Sequence, residues 1–134
     1  MASILSTLST AAALDDVWDA IRDVGALHTR LVPGFVVATG LADGIRRVTF
    51  ANGMEVVEPI VSVDDEHHRL VWTVQSGVSR HYNGALHATA GAAGGTKVTW
   101  TVDVLPDELA PTIAANMDAG MAAMQRSLDQ LAGR

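Results

Sequence analysis

The most regular pattern of apolar and polar positions in the chain lies between Thr96 and Leu105. Apolar side chains take every second position there, in the order Val98, Trp100, Val102 and Val104, and more polar side chains lie between them. A period of two places alternate side chains on opposite faces of an extended strand. One apolar and one polar face are typical of an antiparallel sheet that is packed on one side. The segment therefore predicts a strand with one buried face.

Six other segments have the composition or the alternation of strands, and turn residues separate several of them. In chain order they are Ser3–Thr10, Phe35–Gly40, Ile45–Phe50, Met54–Val63, Arg69–Gln75 and Arg80–Ala90. The dipeptide Asn52-Gly53, between the third and the fourth of these, is a strong hairpin signal. The chain is thus expected to form seven strands.

Apolar residues recur at helical spacing in two parts of the chain. The first part runs from Leu14 to Val24, is interrupted at Gly25, continues as a short helical turn over Ala26–Leu31 and stops at Pro33-Gly34. The second part begins at Asp107, and its apolar stripe at steps of three and four predicts one long C-terminal helix. The stripe comprises Ile113, Met117, Met121, Met124, Leu128 and Leu131.

The order of these elements is strand, two short helices, six strands and one long helix. A curved antiparallel sheet with one buried face needs a covering layer, and the C-terminal helix is the only element large enough to supply it. The fold class is therefore predicted to be α+β. No repeat or linker divides the 134 residues, so we expect residues 1–134 to form a single domain.

Composition excludes several classes of protein. The absence of cysteine rules out disulfides, thiolate metal sites and a cysteine nucleophile. The formal charge is −6, with no basic run, which argues against a nucleic-acid partner. No apolar run approaches the ~20 residues of a membrane span, and the N-terminal segment lacks the basic start of a signal peptide. We therefore expect a cytoplasmic protein without membrane insertion.

Several sequence motifs, taken in order, resemble one superfamily over nearly the whole chain. They are DDVWDAIRD with its tryptophan, VPG at the end of the second helix, GIRRVTFANG, VVEPIVSVDDEHHRLVWTV and GGTKVTWTVDV. This order resembles the helix-grip fold of the START, or birch-pollen-allergen-like, superfamily. Within it, the bacterial polyketide cyclase/dehydrase-like proteins, often called SRPBCC proteins, are the most similar group.

The resemblance implies a ligand cavity between the sheet and the C-terminal helix. Matching positions in the family carry an inward arginine and an inward glutamate, which would be Arg46 and Glu58 here. In the distantly related abscisic-acid receptors, the glutamate and the position matching Tyr82 both lie in the ligand pocket. The resemblance does not imply one reaction, because this fold hosts lipid carriers, hormone receptors, cyclases and hydrolase partners.

The length of the hairpin loop at Asn52-Gly53 decides which charged side chains point inward. A three-residue loop over residues 51–53 pairs Arg46 with Glu58 and places both on the face of Val48 and Val56. A two-residue loop would instead set Arg47 opposite Glu58, and one of the two strands would then turn its other face toward the interior. The resemblance favours the three-residue loop, which places Glu55 on the opposite face from Glu58.

The faces and the resemblance together give a set of candidate ligand-binding residues. Two of them are charged and would act as polar anchors in an apolar cavity, or form a structural ion pair near the sheet edge. The methionines of the predicted C-terminal helix would form a cavity wall that adapts to ligands of different shape, and Gly120 would leave room beneath the helix. The full set is Arg46, Phe50, Glu58, Trp72, Tyr82, Trp100, Met117, Met121 and Met124.

Four of the five histidines lie between residues 66 and 88 and raise the question of a metal site. His67 and His68 fall in a polar turn. His81 and His87 share the outer face of one strand but lie about 20 Å apart along it, too far to ligate one ion. We therefore predict no metal site and no cofactor.

Three functions stay open from the sequence. The first is a binding or carrier protein for a small hydrophobic molecule, which is apolar, aromatic or lipid-like. The second is a polyketide cyclase/dehydrase-like enzyme in which Glu58 acts as acid or base, with a pKa raised by burial. The third is an interaction protein with its cavity packed shut. The sequence does not decide the oligomeric state, and a homodimer stays open.

Overall fold

The structure, a computed structural model, describes residues 1–133. Its sheet has seven strands in the order β1-β7-β6-β5-β4-β3-β2, and every neighbouring pair is antiparallel. The strands are β1 (Ala2–Thr10), β2 (Val36–Ala42), β3 (Ile45–Phe50), β4 (Glu55–Asp64), β5 (Arg69–Thr73), β6 (His81–Ala90) and β7 (Thr96–Leu105). The predicted seven strands are thus confirmed, with small shifts at their ends.

The helical segments also match the prediction. Helix α1 spans Leu14–Arg22, and two short turns of 3₁₀ and π type follow at Val24–Ala26 and Leu27–Leu31. A short 3₁₀ turn at Asp107–Leu109 leads into the long helix α2, Ala110–Ala132. These short helical segments after β1 and one long C-terminal helix against the sheet make the helix-grip fold that the sequence predicted. No helix within residues 1–133 is both long and apolar enough to cross a membrane.

Helix α2 covers the inner face of the sheet, as its apolar stripe predicted. Met117, Met124 and Leu128 are each no more than 1% exposed. On the sheet, Val98 and Val102 of β7 are fully buried, as the alternation along that strand requires. Burial of these side chains is the main apolar contribution to folding.

A polar contact that the sequence pattern did not reveal fixes α1 to the turn between β4 and β5. The indole N–H of Trp18 donates a hydrogen bond of 2.9 Å to Asp65 Oδ1. Arg22 Nε donates to the same oxygen at 2.8 Å, and the ring of His68 lies 5.6 Å from the Trp18 ring. These contacts hold the N-terminal helix against the turn that contains His67 and His68.

A close approach between β5 and β6 sets the position of Trp72. A Cβ atom added at Gly84 would lie 2.6 Å from Cε2 of the Trp72 indole, which is closer than real Cβ contacts. The two residues are directly paired across the strands. Glycine is therefore needed at position 84 because the indole ring lies flat against that strand.

We predict that Gly84→Ala lowers the free energy of unfolding by about 1–3 kcal/mol, the usual range for an overpacked core. Urea unfolding followed by tryptophan fluorescence measures it. The matched control is Gly40→Ala on β2, where an added Cβ meets no atom within 4 Å. A loss for Gly84→Ala no larger than for Gly40→Ala would show that the Trp72 ring moves aside freely.

Candidate functional site

A cavity of about 440 Å³ lies between the inner face of the sheet and α2. Its walls come from strands β2 to β7, from the helical turn Leu27–Leu31 and from α2. Most of its lining is apolar, as expected where the alternating strands present their buried side. The cavity is thus the space that α2 covers without filling.

The cavity opens to solvent between three segments of the chain. These are the end of the β3–β4 hairpin, the loop between β5 and β6, and the first turns of α2. The exposed lining residues, here called the mouth, are Met54, Glu55, Ser76, Gly77, Val78, Thr112 and Asn116. A small molecule could therefore enter past hydroxyl, amide and carboxylate groups before it reaches the apolar interior.

The structure brings eight of the nine candidate residues to the cavity wall. They are Arg46, Phe50, Glu58, Trp72, Tyr82, Trp100, Met117 and Met124. The exception is Met121, which packs in the core beside the cavity and does not line it. Along a helix of 3.6 residues per turn, Met121 is rotated by about 40° from Met117, and Met124 by about 20° in the other direction. The stripe is therefore wider than the cavity it covers.

A further expectation about the lining needs correction. Gly120 does not leave open space beneath α2, because an added Cβ would lie 2.8 Å from Cζ3 of the Trp100 ring. The indole fills the room that the glycine provides. Glu55 borders the mouth, but it pairs with Thr49 whereas Glu58 pairs with Arg46, so its side chain lies on the opposite face from Glu58, as the alternation predicted. It lies at the first residue of β4, where the hairpin end borders the cavity.

The charged centre of the cavity is a buried ion pair. Arg46 and Glu58 are directly paired between β3 and β4, which confirms the register that a three-residue loop predicts. Arg46 Nε donates to Glu58 Oε1 at 2.8 Å, and Nη2 of the same guanidinium lies 2.6 Å from that oxygen. The two residues are 2% and 7% exposed. Such short contacts between buried groups are charge-assisted hydrogen bonds.

Neighbouring groups hold the guanidinium of Arg46 from other sides. Its Nη1 donates to the backbone carbonyl of Val24 at 3.4 Å, and its Cζ lies 5.6 Å from the centre of the Trp72 ring. This distance allows a cation–π contact. Every nitrogen of the guanidinium is therefore already engaged with the protein.

Only one oxygen of the Glu58 carboxylate accepts hydrogen bonds from the residues that the structure describes. Both contacts from Arg46 end on Oε1, and none of the hydrogen bonds within residues 1–133 ends on Oε2. Burial raises the pKa of the Glu58 carboxyl above its ordinary value, while the charge and hydrogen bonds of Arg46 oppose the rise. Glu58 thus presents one unpaired acceptor oxygen at the wall of the cavity.

Aromatic rings form much of the remaining wall. The rings of Trp72 and Trp100 lie 6.4 Å apart, and those of Phe35 and Phe50 lie 5.3 Å apart in an edge-to-face arrangement. The indole N–H groups of both tryptophans are buried without an acceptor in the described part of the chain. The sequence identified three of these rings but not Phe35, which precedes β2.

Several polar lining residues were missed by sequence reasoning. Thr112 and Asn116 flank the apolar stripe of α2, one residue before Ile113 and Met117 respectively. That adjacency is the only signal in the sequence that could have placed them at the cavity. Ser76 and Ser79 lie in a loop, where no periodicity indicates which way a side chain points.

The histidines lie away from this cavity. Nδ1 of His67 lies 2.8 Å from Asp64 in the exposed β4–β5 turn. His81 and His87 lie on β6, where their direct partners on β7 are Leu105 and Thr99. The two histidines thus lie six residues apart on one continuous strand and on the same face of it, as the alternation predicted.

Comparison with known proteins places the whole chain in one family. Residues 1–134 match the profile of the family described as "Polyketide cyclase / dehydrase and lipid transport". A search of curated proteins found no significant match. The family match covers all the elements that build the cavity.

Solved structures share the fold over nearly the full length. A protein from Bacillus thuringiensis superposes with a TM-score of 0.84 at 15% identity, covering 95% of this chain and 98% of its own. A solution structure from Thermobifida fusca gives 0.81 at 25% identity, covering 100% and 95%. A norcoclaurine synthase point mutant from Thalictrum flavum gives 0.70 at 26% identity, covering 95% and 93%.

We predict that Glu58→Gln lowers the free energy of unfolding by about 3–5 kcal/mol, because it leaves the buried charge of Arg46 uncompensated at nearly constant volume. The double variant with Arg46→Met should lose less. Urea denaturation measures both. The control, Glu66→Gln in the exposed β4–β5 turn, should stay within about 0.5 kcal/mol of the parent. Equal losses for Glu58→Gln and Glu66→Gln would contradict a stabilising pair.

We predict that the single tyrosine of the chain titrates abnormally late. Burial, and next the charge of Glu58, raise the pKa of the Tyr82 phenol above its usual value of about 10. Because the folded state holds this proton more tightly, the associated stability is present below pH ~10 and is lost as the pH rises further. Phenolate absorbance during alkaline titration should therefore rise only as the protein unfolds. A separate, earlier phenolate transition in the folded protein would show that the hydroxyl is solvated.

Proposed function

Because the chain belongs to the polyketide cyclase/dehydrase and lipid transport family, we propose that it binds a small, largely apolar molecule in the cavity between the sheet and α2. The observation that carries this proposal is an apolar cavity with one unpaired carboxylate oxygen, that of Glu58, at its wall. Such a site holds the body of a ligand by apolar contact and fixes its orientation at one polar point.

The dimensions of the cavity support this proposal. Small-molecule sites range over about 300–1,000 Å³ and are lined mainly by apolar and aromatic groups. The cavity here, at about 440 Å³, falls in the lower half of that range and suits a compact ligand with two or three rings. Met117 and Met124 adapt their shape to a guest more easily than branched side chains do.

A catalytic role is the second candidate, and the environment of Glu58 favours it. Its raised pKa and its position near Tyr82 would suit a carboxyl group that gives or takes a proton from a bound substrate. The norcoclaurine synthase from Thalictrum flavum is an enzyme of the same fold, solved with a transition state analogue. The third role, an interaction protein with a closed cavity, has less support because the aromatic and methionine side chains leave space between them.

The binding proposal can be tested with N-phenylnaphthylamine, an uncharged dye whose emission rises in an apolar site. We expect saturable binding of one dye per chain, with energy transfer from tryptophan because Trp72 and Trp100 line the cavity. Fluorescence titration gives the stoichiometry and the dissociation constant. Mass spectrometry of protein purified under native conditions would identify a molecule that co-purifies with it.

A variant that fills the cavity provides the matching control. Ile113 is a half-buried lining residue on α2, and Ile113→Trp should abolish saturable dye binding while the protein still melts cooperatively. Leu5→Trp places the same side chain at a residue of β1 that is 66% exposed, and it should leave binding unchanged. Dye binding that survives Ile113→Trp undiminished would locate the dye elsewhere and overturn the proposal.

A further inference from the structure

The charged groups in the cavity and at its mouth do not balance. Within residues 1–133, Arg46 and Glu58 line the interior and Glu55 lies at the exposed mouth, which gives one positive against two negative groups. The net charge of these groups is therefore −1 when both carboxylates are ionised. The chain as a whole also carries a formal charge of −6, which adds to a negative potential in the cleft.

The one cation that residues 1–133 place at the cavity wall, Arg46, is already committed to acceptors of the protein. Arg46 donates from Nε to Glu58 and from Nη1 to the Val24 carbonyl, and its Nη2 contacts Glu58 as well. A carboxylate or sulfate entering the cavity would have to compete with Glu58 for this guanidinium. It would otherwise find only neutral donors such as the Tyr82 hydroxyl, which do not balance a desolvated negative charge.

The N-terminal end of α2 also borders the mouth, and a helix N-terminus ordinarily favours anions. Here two acidic residues, Asp107 and Glu108, lie in the short turn before the helix and offset the positive potential of its N-terminal end. Pro111 has no N–H group to offer. The helix end therefore does not replace the missing free cation.

The unpaired acceptor points to the opposite kind of ligand group. Oε2 of Glu58 must be satisfied by solvent or by a ligand, because a buried carboxylate oxygen without a donor is costly. A ligand that displaces water from this oxygen has to bring its own N–H or O–H donor.

We infer that the cavity rejects anionic head groups and selects neutral or cationic apolar molecules that donate a hydrogen bond, such as aromatic amines and alcohols. This inference rests on the proposed function and adds the charge of the ligand to it. It sets the protein apart from a carrier of fatty acids or other carboxylates, which needs an unpaired cation at the site.

Three dyes of nearly the same shape test the inference. N-phenylnaphthylamine is neutral and has an N–H donor, anilinonaphthalene sulfonate adds a negative charge, and phenyl naphthyl ether lacks the donor. We expect the sulfonate and the ether each to bind at least about tenfold more weakly than the amine, which corresponds to about 1.4 kcal/mol. Direct titration measures the two fluorescent dyes, and displacement of the amine measures the ether.

Charge variants should shift this selectivity in a defined direction. Glu58→Gln releases Arg46 from its anionic partner, so the preference for the amine over the sulfonate should shrink about tenfold or reverse. Glu55→Gln removes a negative charge at the exposed mouth, where it does not disturb folding, and should narrow the preference by a few fold in a salt-dependent way. Glu66→Gln in the distant turn should change nothing.

The outcomes separate the inference from the proposed function. Because the sulfonate also binds partly unfolded chains, its binding counts only when the amine displaces it and the variant melts cooperatively. If Glu58→Gln does not fold, the parent protein and Glu55→Gln still decide. Equal affinity for amine and sulfonate in the parent overturns the inference and leaves the binding function intact. Failure of all three dyes to bind overturns both.

Discussion

The pairing of β3 with β4 is the constraint on which the interior of this protein depends. The chain reverses over residues 51–53, where Gly53 has a φ of +89° and the Asn52 side chain accepts a hydrogen bond from Met54 N–H at 2.9 Å. This loop sets Arg46 opposite Glu58 and turns both toward α2. A shift by one residue would set Arg47 opposite Glu58 and turn over one of the two strands, so the cavity would lose the pair of Arg46 and Glu58 that forms its polar centre.

The walls around that centre are held by close packing. The Trp72 ring lies over Gly84, and the Trp100 ring lies against Gly120 of α2, with no room for a Cβ at either glycine. Interiors are normally filled to the density of organic crystals, so the space left between such fixed rings is not a consequence of loose packing. These contacts hold the two indole rings in place beside the cavity that they line.

The electrostatic character of the site follows from the same pair. Arg46 neutralises Glu58 and is held by it through Nε and Nη2, so within residues 1–133 the interior carries an ion pair and no unpaired cation. The cost of burying these charges is offset by short hydrogen bonds, the Val24 carbonyl and the face of the Trp72 ring. A site that is apolar on most sides and offers one acceptor oxygen can therefore discriminate between ligands of similar shape by their charge and by their donors.

The sequence by itself determined the elements and the faces of this protein. Period-two alternation identified the inward set on β7, helical spacing identified the α2 stripe, and the Asn52-Gly53 turn, with the resemblance to a known superfamily, was enough to pair Arg46 with Glu58. These features depend on residues close in the chain, where the spacing of apolar side chains and the backbone conformation of turn residues determine the structure directly.

Only the tertiary structure decided which side chains of a buried face border the cavity. Met121 lies on the predicted stripe yet misses the cavity, Gly120 is covered by Trp100, and Thr112, Asn116 and the loop of Ser76 and Ser79 reach the mouth. Contact between segments that are distant in the sequence depends on how the sheet curves under the helix. No local sequence pattern encodes the distance between the sheet and the helix.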